Sequence, residues 1–214
     1  PDDRQRSLRI LSLFQERESR DELGLGAIRD SFTDALFPGT TTIQTRMRYM
    51  LFVPWIYSYL EGKRVSSAYF AARARQLELS LVEPLLENSD DAGVFGKVAG
   101  GTLKRLPSSV YWNGLGMWGI RRINCSLDEY HRHIDEIYRR RDVARGRSEK
   151  EDSPEDRTLT WHPKLPKPPQ GFPDEVAGLC LDLEPEEASF LQDQIVKYQK
   201  DSLLAWLAAK PDWG

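Results

Sequence analysis

Apolar side chains are concentrated in one run within the first third of the chain. Of residues 49–59, only Ser58 is plainly polar. A helix that is apolar on nearly every face is buried in a core or lines a pocket. The run follows a Pro38-Gly39 turn signal, and Thr41 precedes Gln44 by the spacing of a capping box. The pattern therefore predicts a central helix that begins near Thr41. Three of its side chains are predicted to be buried: Phe52, Val53 and Ile56.

Shorter amphipathic patterns surround this run, with apolar residues recurring every three or four positions. They predict a first helix over residues 4–17 and further helices over residues 26–36, 66–87, 108–122, 127–138, 185–199 and 202–209. No segment alternates apolar and polar residues convincingly, as a half-buried strand does. We therefore predict a mainly α protein, a helical bundle-like single domain with irregular loops and room for small β elements.

Three parts are predicted within this domain. Residues 1–142 form a helical core with a basic, aromatic-rich surface. Residues 143–175 are first charged and then rich in proline, which predicts a connection that packs on the core. Residues 176–214 contain the C-terminal helices.

The composition is that of a globular protein without a membrane span. The 214 residues are 40% hydrophobic and 29% charged, and no apolar run approaches the roughly 20 residues that cross a bilayer. The first residues lack the apolar stretch of a signal peptide. The two cysteines, Cys125 and Cys180, have no metal-ligand or CxxC spacing. We therefore expect reduced thiols in a cytoplasmic protein.

Charge is distributed unevenly along the chain, although the net charge is only −3. Residues 43–75 contain six Lys/Arg and one acid, residues 104–147 contain ten Lys/Arg and five acids, and residues 149–193 contain four bases and twelve acids. A basic face on an acidic chain is typical of a selective nucleic-acid binder. A solvated basic helix surface is the alternative explanation.

Two segments combine cations with aromatic residues. Arg46 and Arg48 precede the apolar run, where free helix N–H groups favour an anion such as a phosphate. Residues 107–122 hold Asn113 among aromatic residues and end in Arg121 and Arg122. Such residues can stack on a base and contact phosphates. Both segments are also compatible with core helices whose arginines reach the surface, which is the commoner arrangement.

Several long strings of residues resemble a bacterial family described as a domain of unknown function. They include DELGLGAIRD at residues 21–30 and further strings at residues 36–49, 52–57, 107–112, 118–121 and 202–207. Members of this family resemble components of phage-defence loci, and the resemblance extends to Brig-type DNA glycosylases, which excise modified bases from phage DNA. Typical members look longer at both ends, so the resemblance allows that this chain is a fragment.

The resemblance implies a DNA glycosylase that acts on double-stranded phage DNA, with glucosylated hydroxymethyl-cytosine-like bases as substrates and partner proteins from the same locus. The residue roles come from chemistry alone. A carboxylate must stabilise a cationic sugar, aromatic walls must hold the base, and arginines must hold phosphates. The predicted catalytic acids are Asp30, Asp21 and Glu22. The predicted base pocket comprises Tyr49, Trp55, Tyr111, Trp112 and Asn113. The predicted phosphate contacts are Arg46, Arg48, Arg121 and Arg122.

No cofactor and no metal site are predicted. His131 and His133 are two residues apart, so a helix points them in different directions, and no third ligand has a suitable spacing. A nuclease is disfavoured because no acid cluster with metal-binding spacing lies beside a lysine or histidine. The alternative to the glycosylase is a non-catalytic DNA-binding or assembly subunit of a defence complex. A pocket that unites a carboxylate with aromatic residues would favour the enzyme.

Overall fold

The computed structural model describes residues 25–89, 93–148 and 159–210. The helix predicted over residues 4–17 lies outside these ranges. The described chain is a single domain of helices, so the predicted mainly α fold is confirmed. The α-helices are α1 (Leu25–Leu36), α2 (Tyr49–Gly62), α3 (Ser67–Ser80), α4 (Val82–Asn88), α5 (Pro107–Met117), α6 (Leu127–Ser148), α7 (Pro185–Tyr198) and α8 (Leu203–Ala208), with a short 3-10 helix at Gly100–Thr102.

Helix α2 is the centre of the core, as its apolar run predicts. Phe52, Val53 and Ile56 are each at most 1% exposed. Helices α3 and α5 pack directly against α2, and α6 packs against α3. The prediction that α2 begins near Thr41 is wrong, because the helix begins at Tyr49 and residues 37–48 form turns.

Tertiary hydrogen bonds explain this late start. The Tyr111 hydroxyl accepts the N–H groups of Thr45 and Arg46 at 3.0 and 3.1 Å and donates to the Arg46 carbonyl at 2.8 Å. The Gln44 side-chain amide donates to the carbonyls of Gly39 and Val110. Backbone groups that a helix would pair internally are therefore satisfied by α5 and its surroundings.

The predicted Pro38-Gly39 turn is present and locked against α5. Gly39 has a φ of +80°, a conformation that L side chains rarely adopt. The Trp118 indole N–H donates to the Pro38 carbonyl at 2.9 Å, and a Cβ on Gly39 would lie 2.8 Å from that indole nitrogen. A glycine is therefore required where the turn meets the tryptophan.

The described residues that precede α7, 159–184, form no helix and pack against the core; they are called the bridge segment. An isolated antiparallel bridge joins Arg121 to Trp161. The Trp55 indole N–H donates to the Pro166 carbonyl at 2.7 Å, and the Phe172 ring stacks on Phe52. The chain then enters α7 at Pro185, the first helical position that the sequence indicates.

Four helices differ from their sequence-based prediction. The helix predicted over residues 66–87 is divided into α3 and α4, and the helix predicted over residues 108–122 ends at Met117 as α5. Helix α6 continues to Ser148, beyond the arginines at which the pattern predicts its end. Helix α1 forms as predicted, but its apolar side chains Ile28, Phe32 and Leu36 are 42–62% exposed. In the described part of the chain, no helix is both long and apolar enough to cross a membrane.

Candidate functional site

A buried carboxylate lies at the C-terminal end of the central helix. Glu61 follows the apolar run of α2, and its side chain is only 5% exposed. The cost of burying an ionised carboxylate is high unless donors surround it. The surroundings of Glu61 are therefore a candidate functional site.

Four side chains donate hydrogen bonds to Glu61. The Trp161 indole N–H lies 2.8 Å from Oε1, and the Thr160 hydroxyl lies 2.7 Å from Oε1 and 2.8 Å from Oε2. The Tyr130 hydroxyl also donates to Oε1, and Arg141 forms an ion pair with Oε2. Arg141 donates to Thr160 as well, at 2.7 Å, so the group forms one connected network.

Three segments position this network. Helix α2 supplies Glu61, and α6 supplies Tyr130 and Arg141, which are three helical turns apart and therefore share a face. The bridge segment supplies Thr160 and Trp161. Two backbone hydrogen bonds of 2.8 Å hold this segment in place. The Arg122 N–H donates to the Thr160 carbonyl, and the His162 N–H donates to the Ile120 carbonyl. The separations in sequence explain why spacing rules do not reveal the site.

The network borders a cavity of about 630 Å³, within the range of small-molecule sites. Glu61, Arg141 and Thr160 form part of its polar wall. Aromatic and apolar wall residues are Tyr138, Trp161, His162, Pro163 and Leu165.

Tyrosines beside the network remain proton donors at neutral pH. Burial raises the pKa of Tyr130 well above its usual value, and the nearby Glu61 carboxylate raises it further. Burial and Glu61 also raise the pKa of Tyr138. Tyr138 donates to the Val65 carbonyl at 2.9 Å, and its ring lies beneath the Arg64 guanidinium at 5.2 Å. Arg64 in turn makes two hydrogen bonds with Asp142, at 2.9 and 2.8 Å.

Three residues of the predicted DNA site converge at a different cavity of about 580 Å³. Trp112, Asn113 and Arg121 all line it. The Arg121 guanidinium lies 4.8 Å from the centre of the Trp112 ring, in a cation–π contact. Asn113 is exposed, whereas Trp112 and Arg121 are buried. Aromatic, amide and guanidinium groups are thus adjacent at this cavity.

The other predicted base-pocket residues lie in the core. Tyr49 and Trp55 are on α2, and Tyr111 is on α5, each at most 2% exposed. The Tyr49 hydroxyl accepts the Phe95 N–H at 3.0 Å. The Trp55 and Tyr111 polar atoms are bound to backbone groups, as described above. Neither cavity described here is lined by these three rings.

The four predicted phosphate-contacting arginines are placed differently. Arg48 is buried and pairs with Glu187 of α7 at 2.8 Å, so it joins two helices inside the fold. Arg121 is buried at the 580 Å³ cavity, Arg122 is exposed beside it in sequence, and Arg46 is partly exposed. Contact of these residues with DNA stays a prediction, and the buried Arg48 receives no geometric support for it.

Of the predicted catalytic acids, only Asp30 belongs to the described residues, and it lines neither cavity. Asp30 lies on α1 with its side chain 65% exposed and paired with Arg29 at 2.8 Å. Asp21 and Glu22 lie outside the described residues. Sequence reasoning missed Glu61, although one signal was available. A single acid directly after a long apolar helix must either reach solvent or find buried donors.

Within the described ranges, no group of three or more His, Cys, Asp or Glu side chains is placed to hold a metal ion. Neither curated proteins nor solved structures gave a match to this chain. Residues 1–213 match a protein-family profile, and the chain therefore belongs to DUF6361, a family of unknown function.

Proposed function

We propose that this protein is a DNA glycosylase that excises a modified base, with Glu61 as the carboxylate beside the reacting sugar. The observation that carries the proposal is a buried carboxylate and aromatic walls at one cavity of about 630 Å³. A base-excising enzyme must hold an extruded base between such walls and stabilise positive charge on the sugar. The resemblance of the sequence to phage-defence glycosylases supports the same chemistry.

The reaction is hydrolysis of the bond between the sugar C1′ and the base nitrogen. That bond breaks with its electron pair leaving on the base, and positive charge develops on the sugar. A water oxygen bonds to C1′, one water proton stays on the new hydroxyl, and the other passes to the base. The fixed negative charge of Glu61 would lower the energy of the cationic transition state. The products are a free base and an abasic site.

Cations near the cavity supply contacts for the DNA backbone. Arg64 lines the cavity, and the exposed Lys63 and Lys164 adjoin lining residues in the chain. Arg141 is 19% exposed and already neutralises Glu61. A backbone phosphate would compete with the carboxylates for Arg64 and Arg141, which would leave more of the Glu61 charge for the sugar.

Release of bases from phage DNA tests this proposal. Wild-type protein is incubated with unmodified and glucosylated phage DNA, and abasic sites are counted with an aldehyde-reactive probe. We expect abasic sites on the glucosylated DNA. Glu61→Gln, tested below its melting temperature, should slow excision about 100-fold or more while DNA binding is retained.

Matched amide variants separate the candidate acids. Asp30→Asn, Asp21→Asn and Glu22→Gln remove the acids predicted from the sequence, and each changes one charge, as Glu61→Gln does. Normal excision in these three together with loss in Glu61→Gln supports the proposed site. Wild-type excision by folded Glu61→Gln would remove Glu61 from the reaction.

A non-catalytic DNA-binding or assembly subunit is the second candidate. The observation that favours it is the set of four donor side chains around Glu61, since such a complete set also suits a purely structural carboxylate. DNA binding in a gel-shift assay, without abasic sites on any phage DNA, would favour this alternative.

A further inference from the structure

Arg121 is a buried cation without a carboxylate partner in the described structure. The residue is 8% exposed, and its Nε has no hydrogen-bond partner. Its terminal nitrogens donate to the backbone carbonyls of Ile123 and Trp112. Among the described residues, one other arginine is less than a tenth exposed, Arg48, and it has Glu187 as its counter-charge. A carboxylate therefore compensates the charge of Arg48, whereas no described carboxylate compensates that of Arg121.

The neighbouring thiol does not provide that counter-charge. Cys125 lies beside the guanidinium, but burial raises the pKa of its thiol, so the group stays neutral at pH 7. Burial also lowers the pKa of Arg121, which reflects the penalty on its charged form. Removing a guanidinium from water without an opposite charge is costly. An anion beside Arg121 would offset that cost.

The cavity of about 580 Å³ surrounds the cation with polar side chains. Ser109, Asn113, Asn124 and Ser126 line it together with Arg121. The hydroxyls of Ser109 and Ser126 already donate to the Leu106 carbonyl and to Glu129, so the amides of Asn113 and Asn124 are the side-chain donors for a ligand.

The cavity also reaches the first turn of α6, a helix of 22 residues. N–H groups in the first turn of a helix have no acceptor within the helix and attract anions. The Ser126 hydroxyl oxygen caps the Glu129 N–H at 3.2 Å, so the N–H groups of Leu127 and Asp128 are the ones that an anion would meet.

We propose that this cavity binds a phosphate group, with Arg121 as its charge partner and the start of α6 as a second source of donors. The site is distinct from the Glu61 cavity and does not depend on the proposed glycosylase activity. The Trp112 ring is 6% exposed and the Arg121 guanidinium lies over it, so the site recognises the phosphate itself, and the terminal phosphate of a nucleic acid is one carrier of that group. Free phosphate shares the same chemistry and is the simpler ligand.

Asp128 is the residue that opposes such a ligand. Its side chain lines the same cavity and is an anion like phosphate, so the two repel each other. The other acid of this turn, Glu129, is held by the Ser126 N–H and hydroxyl at 2.8 Å each. Asp128 should therefore limit the affinity for phosphate, and its removal should raise it.

Isothermal titration at constant ionic strength tests the site. Inorganic phosphate and a short single-stranded oligonucleotide, with and without a 5′-phosphate, are titrated into the full chain, with chloride as the reference anion. We expect binding of inorganic phosphate that chloride does not reproduce. An oligonucleotide that binds at least about tenfold tighter than phosphate identifies nucleic acid as the source, and equal affinities identify free phosphate. No heat of binding from any phosphate ligand overturns the proposal.

Surface variants at the cavity avoid disturbing the buried arginine. Asn124→Asp adds a negative charge and should weaken phosphate binding about tenfold, whereas Asp128→Asn should strengthen it by a similar factor. Arg122→Ala is the matched control, because Arg122 neighbours Arg121 in the chain but does not line the cavity. It should change the affinity less than twofold. Affinities within twofold of wild type in both Asn124→Asp and Asp128→Asn would place the phosphate elsewhere and overturn the site.

Discussion

Glu61 at the end of α2 and Glu78 near the end of α3 are both less than a tenth exposed, but their surroundings are opposite. Glu61 accepts hydrogen bonds on both oxygens and has Arg141 as a charge partner. Glu78 accepts one hydrogen bond, from the Ser108 N–H at 2.7 Å, and its Oε1 has no partner. Burial raises the pKa of Glu78 to about 7, against the opposing effect of Ser108.

The comparison shows two ways of tolerating a buried carboxylate. The fold surrounds Glu61 with donors contributed by α6 and the bridge segment, and these satisfy both carboxylate oxygens beside a cavity. Glu78 instead takes up a proton more readily than an ordinary glutamate. Only the first arrangement presents fixed charge to a ligand, which is why Glu61 and not Glu78 is the candidate catalytic group.

The largest effect is expected from removing the Glu61 side chain. Glu61→Ala removes the carboxylate that pairs with Arg141 and leaves the Tyr130 and Trp161 donors buried and unsatisfied. Breaking a buried pair in this way costs about 3–5 kcal/mol of the free energy of unfolding. Urea denaturation measures it, with Glu61→Gln as the control that keeps the shape of the side chain. A loss under about 1 kcal/mol for Glu61→Ala would mean that the network contributes little to stability.

Glu78 is expected to make stability depend on pH. Its folded-state pKa of about 7 lies above the ordinary value of 4.5, so its contribution is fully favourable below pH 4.5 and is lost as the pH rises through 7. Because one pKa unit corresponds to about 1.4 kcal/mol, the loss is about 3 kcal/mol at pH 8.

The variant Glu78→Gln should abolish this dependence. Relative to wild type, its free energy of unfolding should rise by about 3 kcal/mol between pH 4 and pH 8. Urea melts of both proteins at several pH values give the difference directly. A difference that is constant over this range would show that Glu78 is ionised normally in the fold.

A smaller effect is expected from deleting one donor to Glu61. Thr160→Val keeps the shape of the side chain but removes the hydroxyl that bridges Glu61 and Arg141, which should cost about 1–2 kcal/mol. The matched control is Thr102→Val, at an exposed residue whose hydroxyl bonds only the Ala99 carbonyl within the same turn. Equal melting of the two variants would mean that the remaining donors fully compensate at Glu61.

The smallest effect is expected at Asp30, whose ion pair with Arg29 is exposed. Asp30→Asn should change the free energy of unfolding by less than about 0.5 kcal/mol, because exposed pairs contribute little. Thermal melts at low and high salt check this. A loss comparable to that of Glu61→Ala would show that Asp30 makes a contact beyond its pair with Arg29.

The sequence by itself determined the helical class and the identity of the central helix. The apolar run at residues 49–59 has no polar face, so burial was its only stable outcome. The Pro38-Gly39 turn and the start of α7 at Pro185 were also predictable, because glycine and proline restrict the backbone at their own positions. These signals act within a few residues and need no knowledge of the packing.

Tertiary structure alone decided where α2 begins, which arginines are buried and which acid meets the aromatic residues. The Tyr111 hydroxyl accepts hydrogen bonds from the N–H groups of Thr45 and Arg46, some 65 residues away in the sequence. These bonds prevent a helix from starting at the capping signal of Thr41. Arg48 pairs with Glu187, which is 139 positions away in the sequence, and Glu61 accepts a hydrogen bond from Trp161, which is 100 positions away. Periodicity specifies which face of a helix is apolar, but it carries no information about which distant helix covers that face. The packing of α2, α6 and the bridge segment is therefore what converts an isolated glutamate in the sequence into a candidate site.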